Sequence, residues 1–212
     1  VKALRALQPF AQPRPAPVPV PRCELCGTPI ENDHPHVVDV EARSLHCACR
    51  GCALLFTNPG AGRGKYRTAP DRWLHDSTFR LGEGQWNELR IPVRLAFFFR
   101  NTPLHRWVAF YPGPAGAAES LLGLETWEEV ARHLPIARAL EPDVEALLIF
   151  GGDEGFECFL VPIHACYELV GRVKLHWKGF DGGEDVRRAL AEFFGQLRTR
   201  CRPLRDSDGG AS

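Results

Sequence analysis

Apolar and polar positions recur with two different periods along the chain, and the switches between them outline the elements. "IPVRLAFFF" (91–99) and "HRWVAFYP" (105–112) are rich in β-branched and aromatic residues. The turn residues Asn101, Thr102 and Pro103 separate them, so two strands are predicted. "VEALLIF" (144–150) and "FECFLVPI" (156–163) flank "GGDEG", the pattern of a hairpin with a glycine-containing turn. Helical spacing takes over at 182–201, where Val186, Leu190, Phe193, Phe194 and Leu197 recur at three- and four-residue steps. "ETWEEVARHLPIARAL" (125–140) predicts another helix, with Thr126 as its cap and two early acids; Pro135 should kink or end it. "HACYELVGRVKLHW" (164–177) fits either a helix or a helix followed by a strand. A short helix is expected at Gln85–Leu89, inside a connector over 71–90.

The first third reads differently. Val1, Leu4 and Leu7 suit one amphipathic turn over residues 1–8. Six prolines then fall between Pro9 and Pro21, which predicts an extended spacer, because proline fixes φ and removes a backbone donor. "HVVDVEARSLHCAC" (36–49) alternates and breaks at "EARS", as a β-hairpin does. The expected organisation is a proline-rich linker at 1–21, a cysteine module at 22–70, an α+β domain at 71–202 and a disordered tail at 203–212. The fold class is therefore α+β: a small zinc-ribbon- or rubredoxin-like β module followed by a mixed α+β domain.

Composition adds bounds. With 26 basic and 26 acidic residues the formal charge is zero, so the chain has no overall pull towards nucleic acid or an anionic membrane. No apolar run approaches the roughly 20 residues that span a bilayer, and residues 1–22 lack a signal-peptide core. A cytoplasmic placement follows, and in a reducing compartment clustered cysteines are read as metal ligands before disulfides.

Five of the eight cysteines lie in "CELCG" (23–27) and "CACRGC" (47–52). Two thiolates two residues apart grip one ion from a tight turn, and Gly27 frees the backbone after the first pair. Cys23 and Cys26 form that pair. Cys49 and Cys52 form the second, with 22 residues between the pairs. Cys47 and His46 are the alternates for one position. Four soft donors suit Zn²⁺ or, in the same cage, iron. A closed four-thiolate shell is a structural site, since a catalytic zinc keeps one position open. Rubredoxin-like second knuckles place Pro after the first cysteine and Gly after the second; Arg50 and Ala53 stand there in this chain. A thioredoxin-like dithiol would want a βαβ context that the proline-rich linker does not provide.

Other motifs carry less. "NPGAGRGKYR" (58–67) has Pro59 and Tyr66 where a phosphate loop needs Gly and Ser or Thr. Cys158, His164 and Cys166 suggest a second metal site or a Cys–His pair on paper, but buried free cysteines are ordinary core residues. Asp153 and Glu154 should face solvent from a turn, and "AFFF" should be core strand rather than a base-stacking platform.

"CELCGTPI", "HPHVVDVEARSLHCACRGCALLF", "YRTAPDRW", "IPVRLAFFF", "ACYELVGRVKLHWKGFDGG" and "AEFFGQLR" together resemble an uncharacterised bacterial family. It is known as a domain of unknown function and is often encoded with high-affinity [NiFe]-hydrogenases. The resemblance spans about residues 20–202 and brings over the cysteine motif at Cys23, Cys26, Cys47, Cys49 and Cys52; His164 stands where it leads one to expect an acid. It implies a role near hydrogenase assembly or electron flow. The expectation is a non-enzymatic, zinc-binding accessory protein with a hydrogenase subunit or maturation factor as partner. The rival is a rubredoxin-like iron electron carrier serving a hydrogenase.

Overall fold

Alternating side chains on the central strands are apolar on both faces, so the sheet they form must be covered on both sides. The computed structural model describes residues 20–120, 124–152, 154–179, 182–205 and 208. The expected turn at 1–8, most of the proline-rich linker, Asp153 and most of the tail lie outside the described residues.

Seven strands form the main sheet: β4 (Leu74–His75), β5 (Leu95–Asn101), β6 (Arg106–Gly113), β7 (Gly116–Glu119), β8 (Glu145–Gly152), β9 (Gly155–Pro162) and β10 (Arg202–Pro203), in the order β10-β4-β9-β8-β5-β6-β7. Every pairing is antiparallel except β10 with β4. Leu147, Ile149, Phe98 and Ala96 face one side with Leu160 and Cys158, where α2 (Glu83–Glu88), α3 (Glu125–His133) and α4 (Pro135–Ala139) contribute Trp86, Trp127 and Ile136. Leu148, Ala146, Phe97 and Phe99 face the other side, covered by α5 (Ile163–His176) and α6 (Gly183–Arg200) through Leu169, Val173, Phe193 and Phe194. The result is a helix–sheet–helix sandwich with two cores.

The glycine hairpin pairs Gly152 with Gly155 across a two-residue turn, where Gly155 takes φ +115°. α5 is one continuous helix, which settles the choice left open over 164–177. Pro135 ends α3 at His133 and opens α4 from its first turn, where its missing N–H costs nothing. Thr126 is not the cap: Leu124 is, and the Thr126 hydroxyl donates to Glu88 (3.1 Å).

The small sheet has three strands, β1 (His36–Asp39), β2 (Ser44–Cys47) and β3 (Tyr66–Thr68), in the order β2-β1-β3, followed in space by the short α1 (Arg50–Leu55). β1 and β2 are the expected hairpin, and β3 extends it. β1 is buried on both faces: Val37 packs with Cys23, Ala48 and Ala53, while Val38 and Val40 enter the α5/α6 core. The cysteine module therefore leans on the larger domain through a shared apolar core, and Arg67 ties the edge by donating to the Pro142 carbonyl (2.7 Å) and Glu141 (3.1 Å). No helix among the described residues is long and apolar enough to cross a membrane.

Candidate metal centre

The first cysteine pair sits in a tight turn that the sequence builds with glycine. Gly27 takes φ +76° and donates its N–H to the Cys23 carbonyl (2.8 Å), closing the loop that aims both sulfurs inward. Cys23 N–H in turn donates to the Thr28 carbonyl (2.8 Å), and Arg22 and Pro29 form a bridge across the turn. The second pair is built another way. Cys49 is the N-cap of α1, and its Sγ accepts from the N–H of Cys52 (3.4 Å) inside the first turn. One pair therefore comes from a turn and the other from a helix start.

The four sulfurs of Cys23, Cys26, Cys49 and Cys52 all lie within 4.8 Å of one another, with Cys26 and Cys49 at 3.7 Å. Cys23 is buried and Cys26 exposed, so the cage opens at the surface of the module. All eight cysteines are free thiols. Thr28, with its hydroxyl 3.4 Å from Cys26 Sγ, draws that thiol down to about 6. Burial works against ionising Cys23, yet backbone N–H groups of Cys49, Leu25 and Cys26 bring it below the ordinary thiol range. Cys52 is pushed up to about 12 by hydrogen bonding to Cys26 and Cys49. Four sulfurs so close together cannot all ionise without a cation among them; a thiophilic divalent ion has the charge and ligand preference to fill that place. The arrangement could hold a metal ion.

The two alternates stand apart from the cage. His46, on β2, has its Nδ1 3.8 Å from Glu24 and its Nε2 3.2 Å from the Ser44 hydroxyl. Cys47 pairs with His36 across the β1–β2 ladder, and a donor atom from each of His34, His36 and Cys47 lies within 4.8 Å of the others. Sequence reasoning missed this second group. Its signal was "HPH" at the start of the hairpin, since a symmetric β1–β2 register puts His36 opposite Cys47. Burial lowers His36 and His164 to about 4, so both rings are neutral near pH 7.

Cys158, His164 and Cys166 do not come together. Cys158 packs in the α2–α4 core and Cys166 in the α5/α6 core, on opposite faces of the main sheet. Burial pushes both thiols well up, the reverse of an activated nucleophile. His164 instead stacks on His36 at 4.4 Å. Glu154 is exposed, as expected of a turn. Lys65 of the glycine-rich loop lies 3.5 Å from Asp39 in an ion pair, and Arg63 and Gly62 there take left-handed φ.

Neither a curated protein nor a solved structure matches the chain. A family model does, over residues 22–201, from the first cysteine turn to the end of α6, and the chain therefore belongs to the family of unknown function DUF5947.

Proposed function

We propose that the protein is a non-enzymatic accessory factor in which Cys23, Cys26, Cys49 and Cys52 hold a structural Zn²⁺ that fixes a partner-binding module. The observation that carries this reading is the convergence of four thiols from two segments into one group within 4.8 Å. Four thiolates complete a tetrahedral shell and leave no position for substrate. The module's own apolar cluster is small, with four buried members, Cys23, Val37, Ala48 and Ala53, so a metal staple supplies what its core does not. Leu54 and Leu55 at the end of α1, 70% and 65% exposed, offer an apolar contact next to the cage. The family resemblance supplies the partner class, a hydrogenase subunit or a maturation factor, in the cytoplasm, where thiols stay reduced.

A rubredoxin-like reading has one observation in its favour: Cys26 brings the edge of the cage to the surface, as outer-sphere electron transfer to iron would require. Metal analysis with a visible spectrum, on protein purified without added metal, separates the two. One equivalent of zinc and no colour is expected. Iron with thiolate-to-iron bands would overturn the structural reading. Pull-down with the hydrogenase subunits, using Leu54→Asp/Leu55→Asp as the comparison, tests the partner: capture by the native chain and loss in the variant is expected.

A further inference from the structure

β1 begins with a second set of donors on the face opposite the cage. Its Val37 side packs against Cys23, whereas its Val38 side, which His36 shares, faces the larger domain. His36 Nε2 stands 4.0 Å from Cys47 Sγ because the two residues are direct cross-strand partners. His34 adds a third donor, its ring centroid 4.7 Å from that of His36. The His34 Nδ1 lies 2.8 Å from the Glu31 carbonyl. A carbonyl only accepts, so Nδ1 carries the proton and the lone pair is on Nε2. That Nε2 is buried and has no hydrogen-bond partner. A histidine with one nitrogen donating to a backbone carbonyl and the other buried without a partner has the arrangement of metal-ligating histidines.

The His36 ring is held without a hydrogen bond at Nδ1, which is also buried and unpartnered. Stacking replaces it: His164 lies parallel to within 16°, and Trp73 meets the far side of that stack edge-on, with its centroid 6.0 Å from that of His164. The His36 ring is thus held by the larger domain, while His34 and Cys47 meet it from the preceding turn and from β2. A hydrophobic stack alone would leave no reason for the donor atoms of His34, His36 and Cys47 to converge.

We propose that His34, His36 and Cys47 form a second metal centre for a divalent first-row ion of borderline softness, of the Zn²⁺ class. Two imidazoles and one thiolate suit that class and not Ca²⁺ or Mg²⁺, which take oxygen ligands. Three protein donors leave a four-coordinate ion one exchangeable position, unlike the closed four-thiol cage. His34 also lines an open groove of about 350 Å³ together with Asp33, Pro35 and Cys49, so small ligands reach the edge of the group. The two centres lie on opposite faces of one small sheet: one holds the module, and the other binds an ion that can exchange.

The test is Co²⁺ titration of the full chain under reducing conditions, followed by d–d and thiolate-to-cobalt absorption and by metal counting after desalting. Two equivalents in the native chain are expected. Cys47→Ala and His34→Ala should each retain one equivalent and an unchanged far-ultraviolet circular dichroism spectrum, losing the second ion by at least about tenfold in affinity. A native chain that stops at the four-cysteine equivalent, or a second equivalent that survives both variants, would overturn the proposal. The absorption separates this inference from the cage: the ion that survives Cys47→Ala should carry the intense thiolate-to-cobalt bands of a four-sulfur shell, and the ion lost in that variant those of a single thiolate.

Discussion

Glu145, wholly buried, accepts two bonds from Arg72: Nε to Oε1 at 2.8 Å and Nη2 to Oε2 at 2.5 Å, with the N–H of Glu141 adding a third at 2.8 Å. Burial drives the carboxyl upward, and the guanidinium opposes that shift. Removing the partner leaves a carboxylate in a low-dielectric site, so Arg72→Ala should cost about 3–5 kcal/mol in urea unfolding. Arg72→Lys should recover little, because an ammonium cannot make the paired contact. Asp39 behaves differently. Burial raises it, but the Ala42 N–H (2.8 Å) and Lys65 bring its carboxyl below the ordinary range. A depressed carboxyl stabilises above its unfolded pKa of about 4 and loses that contribution as pH falls through the folded value. Asp39→Asn should therefore be about 1–2 kcal/mol less stable at pH 7, and the gap from the native chain should close as the pH drops below about 4. Unfolding midpoints across that range would check it. Cys158 and Cys166, both 0% exposed, should resist alkylation in the folded chain while Cys26 reacts once metal is removed; mass-spectrometric mapping reads this directly.

At the scale of elements, the strands with long apolar runs and the amphipathic C-terminal helix were legible because burial imposes their period. Phe97, Phe98 and Phe99 all proved to be core, divided between the two faces of the sheet. The first cysteine pair was equally legible, since its glycine has one backbone role. What escaped notice has physical reasons. β4 is two residues long, and its place comes from β9 and β10 rather than from any local pattern. β3 takes its partner from a strand nearly thirty residues earlier. Thr126 carried cap chemistry, but the chain turns into α3 two residues sooner, with Leu124 buried at the cap. The convergence of His34, His36 and Cys47 required the register, and the His36–His164 stack required the whole fold. α3 anchors its layer through Trp127, stacked on Phe98 at 4.0 Å with neither ring exposed. Trp127→Ala should cost about 3–5 kcal/mol. Trp127→Phe should cost less, because it refills part of the volume and removes the buried indole N–H that has no partner. Paired thermal or urea denaturation would rank them.

For the whole molecule, the decisive feature is that β1 belongs to both the cysteine module and the larger core. Metal removal should therefore reach beyond the cage. Hydrogen exchange after chelation should show lost protection across 22–68 and a smaller loss in α5, while the β8–β9 and β5–β8 ladders, central in the sheet, keep theirs. Unchanged exchange throughout would mean the four thiols do not hold the module. The position of β4, between β10 and β9, has a further consequence, one of timing. Its partners β9 and β10 come from the last third of the chain, so the main sheet cannot close until nearly all of it has been synthesised. All four cage cysteines lie before β4. At roughly 5–20 residues per second, they leave the ribosome several seconds before β9 does. The cage has what it needs to capture its ion on a nascent chain, whereas His36 must wait for His164, so the two centres would fill in a set order with the closed one first.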